Sequence, residues 1–151
     1  MRPKFYHCAP IPLSNGSVIE PGNWGRIIRT YEVTNGQIAS NAIREALFET
    51  VRVRVAELKP SRLACVFCCP TMEAAISYRD SYATTNLVYG VEPTDDRFRQ
   101  HIGDYKLAVE PYEGRYFDRM IGVCEEYWQD GPVTHPEILI SCSVKVVERV
   151  A

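Results

Sequence analysis

Three side chains far apart in the sequence have types that could act together on a substrate: His7, Tyr78 and Glu137. Glu137 stands at the entrance of residues 138–150, whose Ile and Val residues favour a β-strand. A carboxylate at a strand entrance is held at the rim of a sheet, where a cleft could use it to take up a proton or stabilise positive charge. The alternatives are a core histidine, a tyrosine half in the core and a solvated glutamate.

Other common kinds of site have weaker sequence support. Cys65, Cys68 and Cys69 lack paired C-x-x-C spacing, and in a strand Cys68 points away from the other two, so no metal site is expected. Cys8 and His7 are neighbours on a strand and face opposite ways, which excludes a nucleophile and base pair. Neither the G-x-S-x-G elbow of hydrolases nor a G-x-x-x-x-G-K phosphate loop is present.

Alternating strand and helix patterns must position these residues. The predicted elements are, in order, a strand (4–9), a turn-rich loop (14–25), a helix (40–58), a strand (63–69), a helix (71–82), a strand (86–91), a polar loop (92–100), a strand (105–109), a helix (115–129) and a final strand beginning near Glu137. Thr71 is expected to cap the second helix. Pro136 is expected at an edge or at the first position of its strand, because proline cannot donate to a ladder. The pattern predicts a mixed α+β fold.

Length and composition narrow the class of protein. The chain has 151 residues, 46% hydrophobic and 24% charged, which predicts one globular domain spanning residues 1–151. A net charge of −2 gives no domain-wide basic field for nucleic acid, although residues 26–62 carry seven basic and four acidic side chains. No signal peptide or membrane-spanning run is visible, so we expect a cytoplasmic protein with six reduced cysteines.

Short motifs in a fixed order resemble the His-Tyr-Glu branch of the ADP-ribosyltransferase superfamily. That branch opens with a strand carrying a Tyr- or Trp-His pair, and here the pair is Tyr6-His7. Its middle motif places a Tyr eleven residues after a first aromatic residue, as Tyr78 follows Phe67. Its last motif is a Glu leading straight into a strand, as Glu137 does. The chain also resembles a bacterial domain family of unassigned function through its PGNWGR, PSRL and YW…PEIL blocks.

The resemblance spans nearly the whole chain and implies an ADP-ribosyltransferase-like split mixed β-sheet with flanking helices. It implies NAD as the substrate, with Tyr6, His7 and Cys8 on the nicotinamide side. His7 would hydrogen-bond the ribose hydroxyls, and backbone groups at Cys8 would hold the carboxamide. Tyr78 and Phe67 would sandwich the nicotinamide ring.

The same resemblance implies that Glu137 faces the ribose and stabilises the positive charge that develops as the glycosidic bond breaks. Glu137 would also align or deprotonate the acceptor. Asn23, Trp24 and Gly25 would lie near the adenosine or pyrophosphate. Arg62 would contact the pyrophosphate, because a guanidinium fork fits phosphate oxygens; a surface salt bridge is the alternative.

Two residues depart from the pattern of that branch. Cys8 stands where the branch usually has Gly, so its side chain narrows the carboxamide pocket or points away from it. Phe67 stands where the branch usually has Tyr and keeps the stacking surface without the hydroxyl. RNA 2′-phosphotransferases share the fold with different motifs, so a nucleotide-linked ADP-ribose substrate stays open.

The resemblance therefore implies a mono-ADP-ribosyltransferase that moves ADP-ribose from NAD to a macromolecular acceptor, in the manner of a toxin or a phage-conflict effector. The basic bias of residues 26–62 suits a nucleic-acid acceptor, and a protein acceptor is equally open. Two other functions remain: a nucleotide-binding or interaction module without transfer, and an NAD hydrolase. Whether an inhibitory partner protein controls the activity is also left open.

Overall fold

The computed structural model describes residues 1–32, 37–109 and 115–151, with residues 37–39 described through their backbone alone. It contains both helices and antiparallel strands, in agreement with the predicted α+β class. In chain order the elements are β1 (Phe5–Ala9), β2 (Val18–Ile19), α1 (Asn23–Ile28), α2 (Gln37–Val55), β3 (Val66–Cys68), α3 (Met72–Tyr82), β4 (Leu87–Pro93), β5 (Gln100–Asp104), α4 (Tyr105–Val109), α5 (Tyr116–Tyr127), β6 (Pro136–Ile140) and β7 (Val144–Arg149).

The strands form two antiparallel sheets. One has the order β1-β4-β7-β2 and the other has the order β3-β6-β5. The strand pairs among the described residues are all antiparallel. The resemblance implied a sheet that mixes parallel and antiparallel strands, and neither sheet does so within the described residues. A bridge between Tyr6 and Cys69 joins the sheets, with backbone N–O distances of 3.0 and 2.7 Å. The two sheets therefore meet where β1 lies beside β3.

The inner faces of the two sheets share one apolar core. It contains Phe5, Tyr89 and Val146 from the first sheet and Ile138 and Ile140 from the second. Helices α2 and α5 cover the outer face of the second sheet, and α3 packs against β1 and β4. No helix among the residues that the structure describes has the length and hydropathy of a transmembrane span.

Several expectations about local structure are confirmed. The Thr71 side chain caps α3 by accepting a hydrogen bond from the Ala74 N–H at 3.2 Å. Pro136 is the first residue of β6, although β6 is the central strand of its sheet. The expectation of one final strand is wrong: residues 141–143 separate β6 from β7, and these two strands belong to different sheets.

Other expectations are wrong. Residues 105–109 form helix α4 instead of a strand, because the Asp104 carboxylate accepts a hydrogen bond from the Lys106 N–H at 2.9 Å and starts a helical turn. The predicted loop at 92–100 contains the end of β4 and the start of β5, and the loop at 14–25 contains β2 and the start of α1. The apolar residues of the helix predicted at 115–129 would be expected on its buried face, but Phe117 and Ile121 of α5 have exposed fractions of 87% and 36%.

Candidate functional site

A cavity of about 440 Å³ opens where the two sheets meet. Its walls come from β1, β2, α1, α2, β3, α3, the end of α4, the start of β6 and the segment between α2 and β3. Nine of the ten predicted site residues line it: Tyr6, His7, Cys8, Asn23, Trp24, Arg62, Phe67, Tyr78 and Glu137. Gly25 is the tenth and does not line the cavity. The fold therefore gathers side chains from opposite ends of the chain around one space large enough for a small ligand.

His7 lines the cavity, and one of its two ring nitrogens is fixed by the backbone. Its Nδ1 lies 2.7 Å from the backbone oxygen of Phe67, and because a carbonyl can only accept, Nδ1 carries the proton. Nε2 makes no hydrogen bond within the described part of the chain. Burial lowers the pKa of His7 more than the Phe67 carbonyl raises it. At neutral pH the ring is therefore neutral, with Nε2 available to accept a hydrogen bond.

Tyr78 and Phe67 are the aromatic members of the cavity wall. The Tyr78 ring packs against Tyr105 and Tyr82, with ring centroids 5.2 and 5.6 Å apart. Burial raises the pKa of Tyr78 to about 12, so its phenol stays protonated. The Phe67 ring lies 5.0 Å from the guanidinium carbon of Arg62, a cation–π contact. Each ring is thus fixed by a neighbour and can offer a rigid surface to a planar ligand.

Glu137 is held by one of its two carboxylate oxygens. Oε1 accepts hydrogen bonds from Nη1 of Arg62 at 2.5 Å and from the hydroxyl of Tyr127 at 2.6 Å. Glu137 is only 7% exposed, yet it lines the cavity. Among the described residues no hydrogen bond reaches Oε2. The carboxylate is therefore fixed by donors on one oxygen while the other remains free for a ligand.

Arg62 is the centre of a buried ion-pair network. Its Nε lies 3.0 Å from Oε2 of Glu45 and its Nη2 lies 3.1 Å from Oε1 of the same carboxylate. Nη1 donates to Tyr127 and Glu137. Burial alone would lower the pKa of Arg62, but Glu45, Tyr127 and Glu137 raise it well above its usual value. Arg62 is 4% exposed and all three of its nitrogens are engaged, which favours a positioning role over a phosphate contact.

The PGNWGR block seats α1 against the segment before β3. The Gly22 N–H donates to the Cys65 carbonyl at 3.0 Å. A Cβ added to Gly25 would lie 2.0 Å from the Leu63 carbonyl oxygen, so only glycine permits this approach. Trp24 lines the cavity and is among the groups that lower the pKa of Glu45, after the larger effects of burial, which raises it, and of Arg62, which lowers it. Gly25 therefore acts on packing, while Trp24 belongs to the cavity wall.

Burial keeps the cysteines around the cavity in the protonated thiol form. Cys8, Cys65, Cys68 and Cys69 line the cavity, and burial raises the pKa of each, that of Cys8 to about 11. The Cys8 thiol points to the Ala75 carbonyl on α3, with the sulfur 3.6 Å from that oxygen. In the described ranges no group of three His, Cys, Asp or Glu side chains is arranged to hold a metal ion.

Three residues behind the cavity wall were not predicted from the sequence: Glu45 and Tyr127, which bond Arg62, and Gly103, which pairs in register with Glu137. Glu45 lies early in the helix predicted at 40–58, where a charged side chain usually faces solvent, but it is fully buried. Tyr127 was not assigned to the apolar face of α5, although it belongs to the YW…PEIL block that also contains Glu137. The block that Tyr127 shares with Glu137 is the sequence feature that could have indicated its place near the site.

Comparison with protein families identifies the family to which the chain belongs. A family model described as "Protein of unknown function (DUF2441)" matches residues 13–151. The chain belongs to the DUF2441 family. The region matched by the DUF2441 model includes Trp24, Arg62, Tyr127 and Glu137, and it begins after β1 and His7. A search of curated proteins finds no significant match for this DUF2441 chain.

Proposed function

We propose that this DUF2441 protein is an NAD-dependent mono-ADP-ribosyltransferase that moves ADP-ribose from NAD to a macromolecular acceptor. One observation carries the proposal: His7, Tyr78 and Glu137, from β1, α3 and β6, line a single cavity. Two antiparallel sheets that face each other across a shared core support an ADP-ribosyltransferase-like fold. The order of the Tyr-His, aromatic–Tyr and Glu motifs along the chain supports the same family.

The chemistry follows from the groups in the cavity. The bond between nicotinamide nitrogen and ribose C1′ breaks, and its electron pair leaves with nicotinamide. Positive charge develops on the ribose, and the Glu137 carboxylate stabilises it; at about 4 Å and an effective dielectric near 20, such a contact contributes about 4 kcal/mol. The acceptor oxygen or nitrogen then bonds C1′, and its proton passes to Oε2 of Glu137. Nε2 of His7 accepts a hydrogen bond from a ribose hydroxyl, and the rings of Tyr78 and Phe67 bracket the nicotinamide.

The contacts of Arg62 suggest another residue for the pyrophosphate. Arg26 is exposed on the cavity wall, and within the described ranges its guanidinium makes two long contacts, 3.4 Å to Asn23 and 3.5 Å to the Pro21 carbonyl. A guanidinium with donors to spare suits phosphate oxygens. We therefore assign the pyrophosphate contact to Arg26, with Asn23 and Trp24 beside the adenosine.

A nucleotide-binding module without transfer is the second candidate, and one contact favours it. The ion pair between Arg62 and Glu137 is buried, and a carboxylate already paired with a guanidinium stabilises a nearby positive charge less than a free one does. In that case NAD would bind the cavity without losing nicotinamide.

One assay separates these functions. The purified protein is incubated with NAD alone, with RNA and with a protein mixture, and released nicotinamide is followed by chromatography. Transfer predicts release that depends on an acceptor, which then carries ADP-ribose by mass spectrometry. Release without any acceptor would establish NAD hydrolysis, and binding of NAD with no release under any condition would establish the module.

A further inference from the structure

The hydroxyl of Tyr127 links the two charged groups of the network. It accepts a hydrogen bond from Nη1 of Arg62 at 2.7 Å and donates one to Oε1 of Glu137 at 2.6 Å. A phenol has one proton, so donation to Glu137 fixes the direction of this chain of hydrogen bonds. Burial raises the pKa of Tyr127 well above its usual value, and the phenol therefore keeps that proton at neutral pH.

The position of the Tyr127 ring depends on a glycine opposite Glu137. Gly103 on β5 is the register partner of Glu137 on β6. A Cβ added to Gly103 would lie 2.4 Å from Cε2 and 2.5 Å from Cζ of the Tyr127 ring. The absence of a side chain at residue 103 is thus what lets the ring lie across the sheet, with its hydroxyl at the Glu137 carboxylate.

Rigid neighbours hold the same ring on its other sides. The rings of Phe48 and Trp128 meet it edge-on, each with centroids 5.0 Å away. His101 lies 5.5 Å away by centroid, and its Nε2 is 2.7 Å from the Tyr127 carbonyl oxygen. A side chain packed in this way does not need to reorient when a ligand binds.

We propose that Tyr127, placed by Gly103, is a positioning residue that works with Arg62 to hold Oε1 of Glu137 and so leaves Oε2 as the oxygen that faces the ribose. This inference rests on the proposed function. The ion pair between Arg62 and Glu137 then helps catalysis, because Arg62 and Tyr127 both donate to Oε1, the oxygen that does not take part in the reaction. The acceptor proton then goes to Oε2, and Tyr127 remains protonated throughout.

Tyr127→Phe tests the inference because it removes one hydroxyl and keeps the ring. Loss of a hydrogen bond to a charged group predicts a kcat for nicotinamide release about 10 to 100 times lower. The dissociation constant for NAD should change less than about twofold, because the hydroxyl contacts Glu137 and not the substrate. Tyr89→Phe is the matched control: Tyr89 is also fully buried, and its hydroxyl bonds Leu13 and Ile11 away from the cavity. It should retain the wild-type kcat.

Gly103→Ala supplies a second variant that leaves every polar group in place. It should reproduce the loss of kcat with little change in NAD affinity, because the added methyl group moves the ring. A folded Tyr127→Phe or Gly103→Ala protein with wild-type kcat overturns the positioning role. A wild-type protein that releases no nicotinamide contradicts the proposed function instead, so the two failures are distinguishable.

Discussion

Arg62 and Glu137 stand 75 positions apart in the sequence and form a buried ion pair, with Nη1 of the arginine 2.5 Å from Oε1 of the glutamate. Glu45 binds the same guanidinium from the opposite side and is itself fully buried. Such a network costs desolvation energy, and it is stable only while every charge keeps its partner. Glu137 is therefore a buried, paired carboxylate beside the cavity and not the solvated strand end that was the alternative.

Arg62→Met should strongly destabilise the protein. It leaves the carboxylates of Glu45 and Glu137 buried without their cation, which typically costs about 3–5 kcal/mol. Arg54→Met is the matched control, since Arg54 is exposed and its pair with Glu125 is 3.6 Å long, so the expected change is below about 1 kcal/mol. Urea unfolding measures both. Equal free energies of unfolding for the two variants would contradict the network.

Gly25→Ala tests why the PGNWGR block contains its second glycine. The new Cβ would meet the Leu63 carbonyl, so we expect a loss of about 1–3 kcal/mol and weaker binding of ligands beside Trp24. Gly122→Ala in α5 is the control, because nothing lies within 4 Å of a Cβ there and alanine favours a helix by about 1 kcal/mol. Thermal unfolding should move in opposite directions in the two variants; a stabilised Gly25→Ala protein would refute the close approach.

Acid should destabilise the fold in two steps. Burial lowers the pKa of His7 and His101, so the unfolded chain binds protons more tightly and stability falls as the pH drops below the ordinary histidine pKa of 6.5. Burial would raise the pKa of Glu45, but Arg62 outweighs it and the pKa is lowered, so further stability is lost below the ordinary value of 4.5. Urea unfolding from pH 7.5 to pH 3.5 measures the profile. Stability that rises between pH 6.5 and pH 5 would contradict it.

Arg26→Ala should weaken the binding of NAD without changing the binding of nicotinamide riboside. Removing a charge-assisted contact to the pyrophosphate should weaken NAD binding about tenfold or more, while the affinity for nicotinamide riboside, which has no phosphate, stays unchanged. Arg29→Ala, at the end of the same helix and outside the cavity, is the control. Calorimetry measures the affinity of the variant for each ligand. An equal loss of affinity for both ligands, or no loss of affinity for NAD, would show that Arg26 does not bind the pyrophosphate.

The sequence predicts the residues that line the cavity better than it predicts the buried residues that bond Arg62. His7, Tyr78 and Glu137 are identifiable because each sits in a short motif with fixed spacing and a strand or helix signal of its own. Glu45 and Tyr127 are not, because a charged residue in a helix and a tyrosine before a tryptophan usually indicate a solvated face and an ordinary core. Their contacts with Arg62 depend on how α2 and α5 pack on the second sheet.

The missed strand β5 has a similar physical reason. Strand patterns are recognised from alternating Val, Ile and aromatic residues, but the buried positions of β5 are His101 and Gly103. Their burial follows from the Tyr127 and Trp128 rings that cover them, which no local pattern contains. The helix at residues 105–109 depends on the Asp104 carboxylate that bonds the Lys106 N–H, and the apolar residues that follow Asp104 by themselves indicate a strand.

The most direct test of the account is nicotinamide release from NAD by the wild-type protein and by Glu137→Gln, with Glu126→Gln on the exposed face of α5 as the matched control. The amide keeps the shape of the side chain and removes its charge, so NAD should still bind within a few-fold of the wild-type affinity. We expect release by the wild type and by Glu126→Gln, and none by Glu137→Gln. Release by Glu137→Gln at the wild-type rate would contradict the assignment of this carboxylate and, with it, the proposed reaction.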